Sequence, residues 1–253
     1  MKFTIGIIYY YPSSWVVNDI NILKSRYRII PLELRYLSSL DRIASILRNV
    51  MKTDITYVWF AGNHSFYARL LSKIKRRKAI LAIGGGEVTK IMSIKYGGLQ
   101  GFPGSFYVKK SIQYSDIVIT PSNFTKREIL KNIKVEPDRI RVIYHGFDWR
   151  KFSFSPMMKK EDIVLTVSFI DRITLWRKGL VYLVRAARLL PKVRFFIVGK
   201  PMDESINWLK KISPSNVTFT GFVSEKELIK LYQRSKVYVQ VSLHEGFGCA
   251  VAE

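Results

Sequence analysis

The chain has 253 residues, which is enough for one large domain or two modest ones. Hydrophobic residues make up 48% of it and aromatic residues 13%, so a sizeable core is expected and a disordered chain is not. No apolar run reaches the roughly 20 residues of a membrane-spanning helix, and the single cysteine, Cys249, excludes an internal disulfide and fits a reducing compartment. The net charge of +23 fits an anionic partner, whether nucleic acid, an anionic membrane surface or a phosphorylated substrate.

The first half of the chain alternates short apolar strands with amphipathic helices. Predicted strands are FTIGIIYY, RIIPLEL, ITYVWFA, AILAIG, DIVITP and RIRVIYH. Helical periodicity lies between them in LDRIASILRNVM, SFYARLLSKIKRR and NFTKREILKNI. This alternation is typical of a parallel sheet covered by helices.

A second series of the same kind follows an interruption. The stretch DWRKFSFSPMMKKED has no periodicity and contains a proline, so we interpret 151–160 as a linker. The strands DIVLTVSF, VRFFIVG, VTFTGF and KVYVQVS come after it. Ser224 and Glu227 stand at capping-box spacing before one helix. Another helix places four apolar residues on one stripe: Leu180, Val184, Ala187 and Leu190.

The predicted fold class is therefore α/β, with two Rossmann-like doubly wound domains, 1–150 and 161–253, that face a cleft. In such sheets, ligands bind beyond the carboxyl ends of the strands, where the strand order reverses. Residues that follow strands are the candidates for a binding site.

Two basic residues follow the first strand of the second series, in VSFIDRITLWRKGL. Arg172 and Lys178 lie six positions apart on a predicted loop, and Gly179 starts the next helix. The planar guanidinium fork and the lysine ammonium both suit a phosphate group. A solvated loop in a strongly basic chain fits the same residues.

The stretch KVYVQVSLHEGFGCAVAE is predicted to be a strand, a loop and the start of a helix. Glu245 lies on the loop, and Gly246 and Gly248 permit close approach of the backbone to a ligand. The helix start offers free N–H groups to an anion. Glu253 falls one or two turns into the helix, from where it can accept hydrogen bonds from hydroxyl groups. A loop with turn glycines and a solvated glutamate fits the same pattern.

The order of these stretches resembles retaining glycosyltransferases of the GT-B fold, specifically family four, the glycosyl transferases group one. The resemblance is best from about Thr120 to Glu253. It rests on PSNFTKREILKNIKVEPDRIRVIYHGFD, the Arg-to-Lys spacing, RFFIVGK, and the Glu-to-Glu spacing around G-F-G. It implies a hexosyltransferase-type enzyme that moves a sugar from a nucleotide-sugar donor to a hydroxyl of a glycan or lipid-linked acceptor and retains the anomeric configuration.

The resemblance also implies roles for individual residues of the second domain, which binds the nucleotide sugar. Arg172 and Lys178 match the pair that neutralises the donor diphosphate, and Glu245 matches the glutamate near the transferred sugar. The other predicted donor-binding residues are Gly246, Phe247 and Gly248, beside sugar hydroxyls and phosphate, and Glu253, on the ribose hydroxyls. Members of the family typically work without a metal ion, so the resemblance implies no cofactor or metal. Preorganised Arg, Lys and helix-end dipoles agree with this, because they can stabilise the leaving diphosphate.

The acceptor-side domain resembles the family less closely. The region after its first strand, YYYPSSWVVND, lacks the glycine-rich loop of many members. AILAIGGGEV resembles the family's small-residue turn, which would place Gly84 to Glu87 at the cleft and predicts Gly85, Gly86 and Glu87 as binding residues; an ordinary tight turn is the alternative. His64 follows a strand where members often place a histidine that faces the cleft, so it is a fourth predicted catalytic residue; a packed or capping histidine is the alternative. His145, in HGFD, is expected to shape the interdomain hinge.

The basic cluster KIKRRK, Lys73 to Lys78, has two interpretations. It complements the C-terminus of a helix, or it adheres to anionic lipid. Together with the single cysteine, the second interpretation predicts a cytoplasmic enzyme that docks peripherally at the inner membrane face.

Members of the family continue well past the second glutamate, so we expect the second domain to be truncated here. One alternative is a non-catalytic remnant that binds a sugar nucleotide or a partner. Another is a basic nucleic-acid-binding protein. No helix-turn-helix, zinc-finger or RNP signature occurs and the basic residues are scattered, so nucleic acid is not expected as a partner.

Overall fold

The computed structural model describes residues 3–148, 150–152 and 159–253. The chain divides into two compact units, Met1–His145 and Gly146–Glu253. Most of the predicted linker, residues 153–158, lies outside the described residues. The domain limits drawn from that linker therefore stay predictions.

The first unit is built on a six-stranded parallel sheet. Its strands are β1 (Thr4–Tyr9), β2 (Arg28–Glu33), β3 (Ile55–Trp59), β4 (Lys78–Ala82), β5 (Ile117–Thr120) and β6 (Ile140–Val142). Their order is β2-β1-β3-β4-β5-β6, so the strand order reverses between β1 and β3. The helices are α1 (Ser14–Lys24), α2 (Ser39–Met51), α3 (Asn63–Ile74), α4 (Gly104–Tyr114) and α5 (Asn123–Asn132). All six predicted strands of this half are confirmed.

The strands of the first unit are continuous apolar runs because both faces of the sheet are covered. Successive residues of a strand point to opposite faces, and here Ile7 and Ile8 are both fully buried. Ile8 packs in a cluster with Val58, whereas Ile7 packs in a second cluster with Tyr57. Burial on both faces is what a parallel sheet between helical layers requires.

The second unit repeats this design on a smaller scale. Its strands are β7 (Glu161–Val167), β8 (Arg194–Val198), β9 (Val217–Gly221) and β10 (Ser235–Tyr238). They are parallel, in the order β10-β7-β8-β9, so the first strand of the unit pairs with its last as well as with its second. The helices are α6 (Arg172–Arg177), α7 (Leu180–Arg188), α8 (Ser205–Ile212), α9 (Glu225–Arg234) and α10 (Cys249–Ala252).

Local sequence signals explain where the helices of this unit begin and end. The predicted capping box of α9 is confirmed, since the Glu227 amide donates to Ser224 Oγ at 3.3 Å and the Ser224 amide donates to Glu227 Oε2 at 2.9 Å. The predicted stripe of α7 is correct for its first three residues, which are fully buried, but wrong for Leu190, which is 49% exposed. The helix ends at Arg188 because Pro191 follows. The side-chain amide of Asn216 also donates hydrogen bonds to the carbonyls of Ala187 and Leu190.

The predicted fold class is confirmed as α/β with doubly wound parallel sheets. None of the helices in the described part of the chain is both long and apolar enough to cross a membrane.

Candidate functional site

Most of the predicted site residues lie where two neighbouring strands of the second unit end. Helix α6 follows β7, and the loop at 239–248 follows β10. These two strands are hydrogen-bonded neighbours at the point where the strand order reverses. Ligands of doubly wound sheets bind beyond this kind of edge.

Lys178 and Glu245 come together at this edge although 67 residues separate them in the chain. The Lys178 ammonium donates to Glu245 Oε1 and forms an ion pair with it. The two side chains are only 18% and 25% exposed. A charge pair that is largely shielded from water has a defined geometry, and it interacts more strongly than a solvated pair. The structure thus brings together two of the predicted catalytic residues.

The backbone around Lys178 is held by its neighbours. The Lys178 amide donates to the Thr174 carbonyl at 2.8 Å at the end of α6. Gly179 has a φ of 71°, and a Cβ there would lie far inside van der Waals contact with the Val241 carbonyl, so only glycine fits. The Leu243 amide donates to the Arg177 carbonyl at 2.8 Å. The loop after β10 is therefore fastened to the end of α6.

The region around Arg172 corrects the prediction of a loop. Helix α6 begins at Arg172 because Asp171 caps it, with Oδ1 accepting from the amides of Ile173 at 2.9 Å and Thr174 at 2.8 Å. A helix of six residues is too short to show periodicity, but the sequence D-R-I-T contained the capping signal.

The same helix separates Arg172 from Lys178 by about 9 Å along its axis. The Arg172 amide donates to Asp203 Oδ2 at 3.0 Å, and the residue is exposed. No hydrogen bond or ion pair of the described residues joins Arg172 to Lys178 or Glu245. The predicted cation pair therefore occupies the two ends of one helix, and only Lys178 is in contact with the glutamate.

The Gly-Phe-Gly segment forms the turn between Glu245 and α10. Gly248 has a φ of 85°, which suits glycine, and precedes α10 directly. The Phe247 ring stacks on the Phe147 ring, with centroids 5.9 Å apart and planes 13° apart. Gly246 lies on the same turn. The side chain between the two glycines is therefore used for packing, which leaves the backbone as the part of this turn that suits a ligand.

Glu253 follows the single turn of α10 and meets a residue that the sequence did not reveal. Its carboxylate accepts from the Tyr232 hydroxyl at 3.2 Å. Burial raises the pKa of Glu253, and the hydrogen bond from Tyr232 partly opposes this. Tyr232 lies on α9, 21 residues away, and no local pattern marks it. The hydroxyl also lies 3.0 Å from the Ala250 carbonyl, so its one hydrogen is shared between that carbonyl and the carboxylate predicted to accept ribose hydroxyls.

The predicted glycine turn of the first unit is closed by its own acidic residue. The Glu87 carboxylate accepts from the amide of Gly84 at 3.1 Å and from the amide of Gly85 at 2.8 Å. Burial raises the pKa of Glu87, while these bonds to backbone amides lower it. Gly86 begins a 3₁₀ turn at Gly86–Val88. This geometry favours the tight-turn interpretation, and the roles of Gly85, Gly86 and Glu87 in substrate binding stay predictions.

His64 is the second residue of α3 and is only 4% exposed. Its Nε2 lies 3.0 Å from the Trp59 carbonyl, and its ring meets the Tyr10 ring edge-on at 4.7 Å. Burial lowers the pKa of His64 to about 4, so the ring is neutral at neutral pH. Since Nε2 must carry the proton to bond a carbonyl, Nδ1 is an acceptor, and within the described residues it has no hydrogen-bond partner.

His145 is packed against aromatic rings at the end of the first unit. It stacks on Trp15 at 5.5 Å and lies 6.3 Å from Trp59. Its expected role at the hinge stays a prediction.

The described residues contain no group of three or more His, Cys, Asp or Glu side chains that could hold a metal ion. Independence from metals stays a prediction, since it concerns the reaction.

Comparison with known proteins adds a family assignment to this geometry. The model of "Glycosyltransferase Family 4" matches residues 11–150, and that of "Glycosyl transferases group 1" matches residues 149–253. An uncharacterized glycosyltransferase of Methanocaldococcus jannaschii is 30% identical over 54% of this chain and 39% of its own length. The serotype-specific mannosyltransferase WbdA of Escherichia coli is 25% identical over 92% of this chain and 33% of its own length.

The chain thus spans well under half the length of these two relatives. Among solved structures, sucrose-phosphate synthase from Thermosynechococcus elongatus superposes with a TM-score of 0.69, covering 98% of this chain and 78% of that one. At 14% identity, that likeness concerns the fold alone.

Proposed function

The chain belongs to the glycosyltransferases of family 4 and group 1, and on that premise we propose that it transfers a hexose from a nucleotide-sugar donor to a hydroxyl of a glycan or lipid-linked acceptor. We further propose that it retains the anomeric configuration and needs no metal ion. The family and the GT-B fold are confirmed, and the glycosyltransferase family models and relatives support the prediction of an enzyme. The nucleic-acid-binding and non-catalytic alternatives gain no support.

The observation that carries this proposal is the contact between Lys178 and Glu245 at the edge where β7 and β10 end. When the bond from the sugar to the diphosphate breaks, negative charge grows on the leaving phosphate. An ammonium already held in place by a carboxylate stabilises that charge without having to reorganise. Lys178 therefore takes the role that a magnesium ion plays in other phosphate chemistry.

Glu245 has a second role toward the sugar. Oε1 contacts Lys178, and a carboxylate has further lone pairs with which to accept hydrogen bonds from sugar hydroxyls. We do not assign it as a covalent nucleophile, because attack on the face from which the diphosphate departs retains the configuration without one.

The remaining donor contacts follow from their positions on the same edge. The backbone of Gly246, Phe247 and Gly248 lies between the two glutamates and suits the sugar and phosphate. Glu253, positioned by Tyr232, accepts hydrogen bonds from the ribose hydroxyls. Arg172 reaches the diphosphate from the opposite end of α6 with its exposed guanidinium.

The reaction itself tests this proposal. The chain is treated with EDTA and incubated with UDP-, GDP- and ADP-sugars, beginning with mannose because a similar protein is named a mannosyltransferase. NMR of the product is expected to show a new glycosidic bond with the anomeric configuration of the donor. An inverted product, or activity that returns only when a divalent metal is added back, would contradict the corresponding part of the proposal.

We also propose that the enzyme is cytoplasmic and docks on an anionic membrane surface through the segment Lys73–Lys78. Arg77 pairs with Asp54 at 3.0 Å and Lys78 with Asp116 at 3.3 Å. Lys73, Lys75 and Arg76 form no ion pair with any described residue. Each cation near anionic lipid contributes about 1 kcal/mol.

Co-sedimentation with vesicles tests this docking. Vesicles that contain phosphatidylglycerol are expected to bind the chain at moderate salt, and vesicles of phosphatidylcholine alone are not. Replacement of Lys73, Lys75 and Arg76 by Gln should release the chain, and unchanged binding of that variant would refute docking by this segment.

A further inference from the structure

The chain leaves β3 through a strained turn. Phe60 follows the last residue of β3 and has a φ of 70°. Left-handed backbone is unfavourable for a residue with a Cβ, and it is uncommon for a bulky side chain. Such a conformation persists only where the surrounding structure determines it, and it is concentrated at functional sites. Residues 59–61, the Phe60 turn, therefore depend on contacts with their neighbours.

Two side chains hold the peptide groups on either side of Phe60. His64 Nε2 lies 3.0 Å from the Trp59 carbonyl, which belongs to the peptide group before Phe60. Glu87 Oε1 accepts at 3.4 Å from the Ala61 amide, which belongs to the peptide group after Phe60. A peptide group is planar, so the orientations of these two planes set the φ and ψ of the residue between them. His64 and Glu87 therefore restrain the left-handed conformation from both sides.

Glu87 also joins the Phe60 turn to the turn after β4. Its carboxylate accepts from the amides of Gly84 and Gly85, at 3.1 and 2.8 Å. A Cβ at Gly84 would lie 3.1 Å from the Phe60 ring, so the two turns are in close contact. The strands β3 and β4 are neighbours in the sheet. One carboxylate thus fixes the chain beyond the carboxyl ends of two adjacent strands, at the edge where doubly wound sheets bind ligands.

Both side chains direct their hydrogen bonds to the backbone. His64 is only 4% exposed, its Nε2 faces the Trp59 carbonyl, and its Nδ1 is buried. Both carboxylate oxygens of Glu87 accept from backbone amides. Groups used in this way affect a reaction through the backbone that they hold, and not by contact with the substrate.

We propose that His64 and Glu87 are positioning residues for glycosyl transfer, which act through the Phe60 turn on the edge of the sheet where β3 and β4 end. The resemblance to the family implies different roles, catalytic for His64 and substrate-binding for Glu87. Their effect on the reaction rests on the proposed function, whereas their effect on the turn does not.

The contact between Glu87 and the Phe60 turn is tested by ¹⁵N NMR of the histidine rings in the full chain at neutral pH. Glu87→Gln keeps the size of the side chain but replaces one acceptor oxygen by an NH₂ group, which cannot accept from an amide. The turn should move, and the resonance of His64 Nε2, which faces the Trp59 carbonyl, should shift. Glu136→Gln makes the same change of charge at an exposed position and should leave that resonance unchanged. Identical histidine spectra for Glu87→Gln and the parent chain would overturn the proposal.

A double-mutant cycle separates the strain of the turn from the other contacts of Glu87. Phe60→Gly removes the steric cost of the left-handed backbone, so the turn no longer depends on the carboxylate. Glu87→Gln should therefore lower the melting temperature of the Phe60→Gly chain by less than it lowers that of the parent chain. Equal losses in both chains would show that Glu87 does not restrain Phe60, which would also overturn the proposal.

Kinetic measurements test whether the turn matters for transfer. Glu87→Gln should lower kcat at least tenfold at a temperature where the variant is folded. Its affinity for the nucleoside diphosphate should not change, because the predicted donor site lies in the second unit. A purely structural role would leave kcat of the folded variant unchanged, so an unchanged kcat, or a loss of nucleotide affinity as well, would overturn the positioning role. If the parent chain transferred no sugar, the proposed function would fail, and NMR and the double-mutant cycle would still decide whether Glu87 and His64 hold the turn.

Discussion

The two units place their candidate sites at the same topological position but equip them with different chemistry. In the second unit, β7 and β10 end at a pair of opposite charges, Lys178 and Glu245. In the first unit, β3 is followed by His64, which is buried and neutral at neutral pH. The sheet thus determines where a ligand binds, whereas the side chains determine which ligand. The charged pair suits a diphosphate, whereas the buried histidine carries no charge with which to bind one.

The largest expected difference is in the turnover number, kcat. Lys178→Ala removes the cation held against Glu245, so kcat should fall by about 10²–10³, the usual loss for one group that stabilises charge in the transition state. Lys210→Ala makes the same change of charge on the exposed face of α8 and should leave kcat unchanged. Equal turnover by both variants would mean that the charge pair is structural.

Buried His64 should make the free energy of unfolding of the first unit fall as the pH is lowered. The pKa of His64 is about 4 in the folded chain, against an ordinary value of 6.5. The unfolded state therefore binds the proton first, so stability is fully present above pH 6.5 and is lost as pH falls toward 4. The loss should be about 3 kcal/mol. Urea denaturation from pH 7 to 4 measures it, and His64→Gln should have a flatter profile; parallel profiles would contradict the assignment.

Gly179 and Gly221 of the second unit have similar φ angles. Replacing each by Ala therefore distinguishes the cost of backbone strain from the cost of a steric clash. Gly179 has a φ of 71° and Gly221 a φ of 72°, but a Cβ at Gly221 meets no atom within 4 Å, whereas one at Gly179 collides with Val241. Both changes to Ala cost about 1–2 kcal/mol for the left-handed backbone. Gly179→Ala should cost about 1–3 kcal/mol more and also weaken nucleotide binding, because it displaces Lys178. Equal melting temperatures of the two variants would show that the loop after β10 moves away from the new Cβ without a cost in stability.

The smallest expected effect concerns the nucleoside. Tyr232→Phe removes the hydrogen bond that positions Glu253, at a cost of about 1 kcal/mol. Binding of the preferred nucleoside diphosphate should weaken by about fivefold, and binding of pyrophosphate should not change. Calorimetry with both ligands measures this difference. If the affinities for the nucleoside diphosphate and for pyrophosphate fell equally, Glu253 and Tyr232 would act on the phosphate groups and not on the nucleoside.

The sequence predicted strands better than short helices. Buried parallel strands are continuous apolar runs between turn residues, which makes them visible without partners. Helix α6 has only six residues, so its capping aspartate was the one available signal. Pro191 marks the region where α7 ends, but Asn216, which donates to the Ala187 and Leu190 carbonyls, is distant in the chain.

The same contrast holds for the candidate sites. Lys178 and Glu245 were predicted because each lies in a stretch with a recognisable order after a strand. Tyr232 carries no such signal, since only the folded chain brings it to Glu253. Sequence patterns therefore reveal the two charged residues, whereas the tyrosine that contacts Glu253 requires the structure.

Metal-free calorimetry with UDP, GDP and ADP tests directly whether Lys178 binds a nucleotide diphosphate. It is run at low and moderate salt on the parent chain, Lys178→Ala and Lys210→Ala. We expect one nucleotide to bind selectively and its binding to survive moderate salt, and we expect that binding to be lost only in Lys178→Ala. Binding that is indifferent to the base, disappears with salt and is equal in both variants would contradict this expectation, because it would show only that a chain of net charge +23 attracts phosphate.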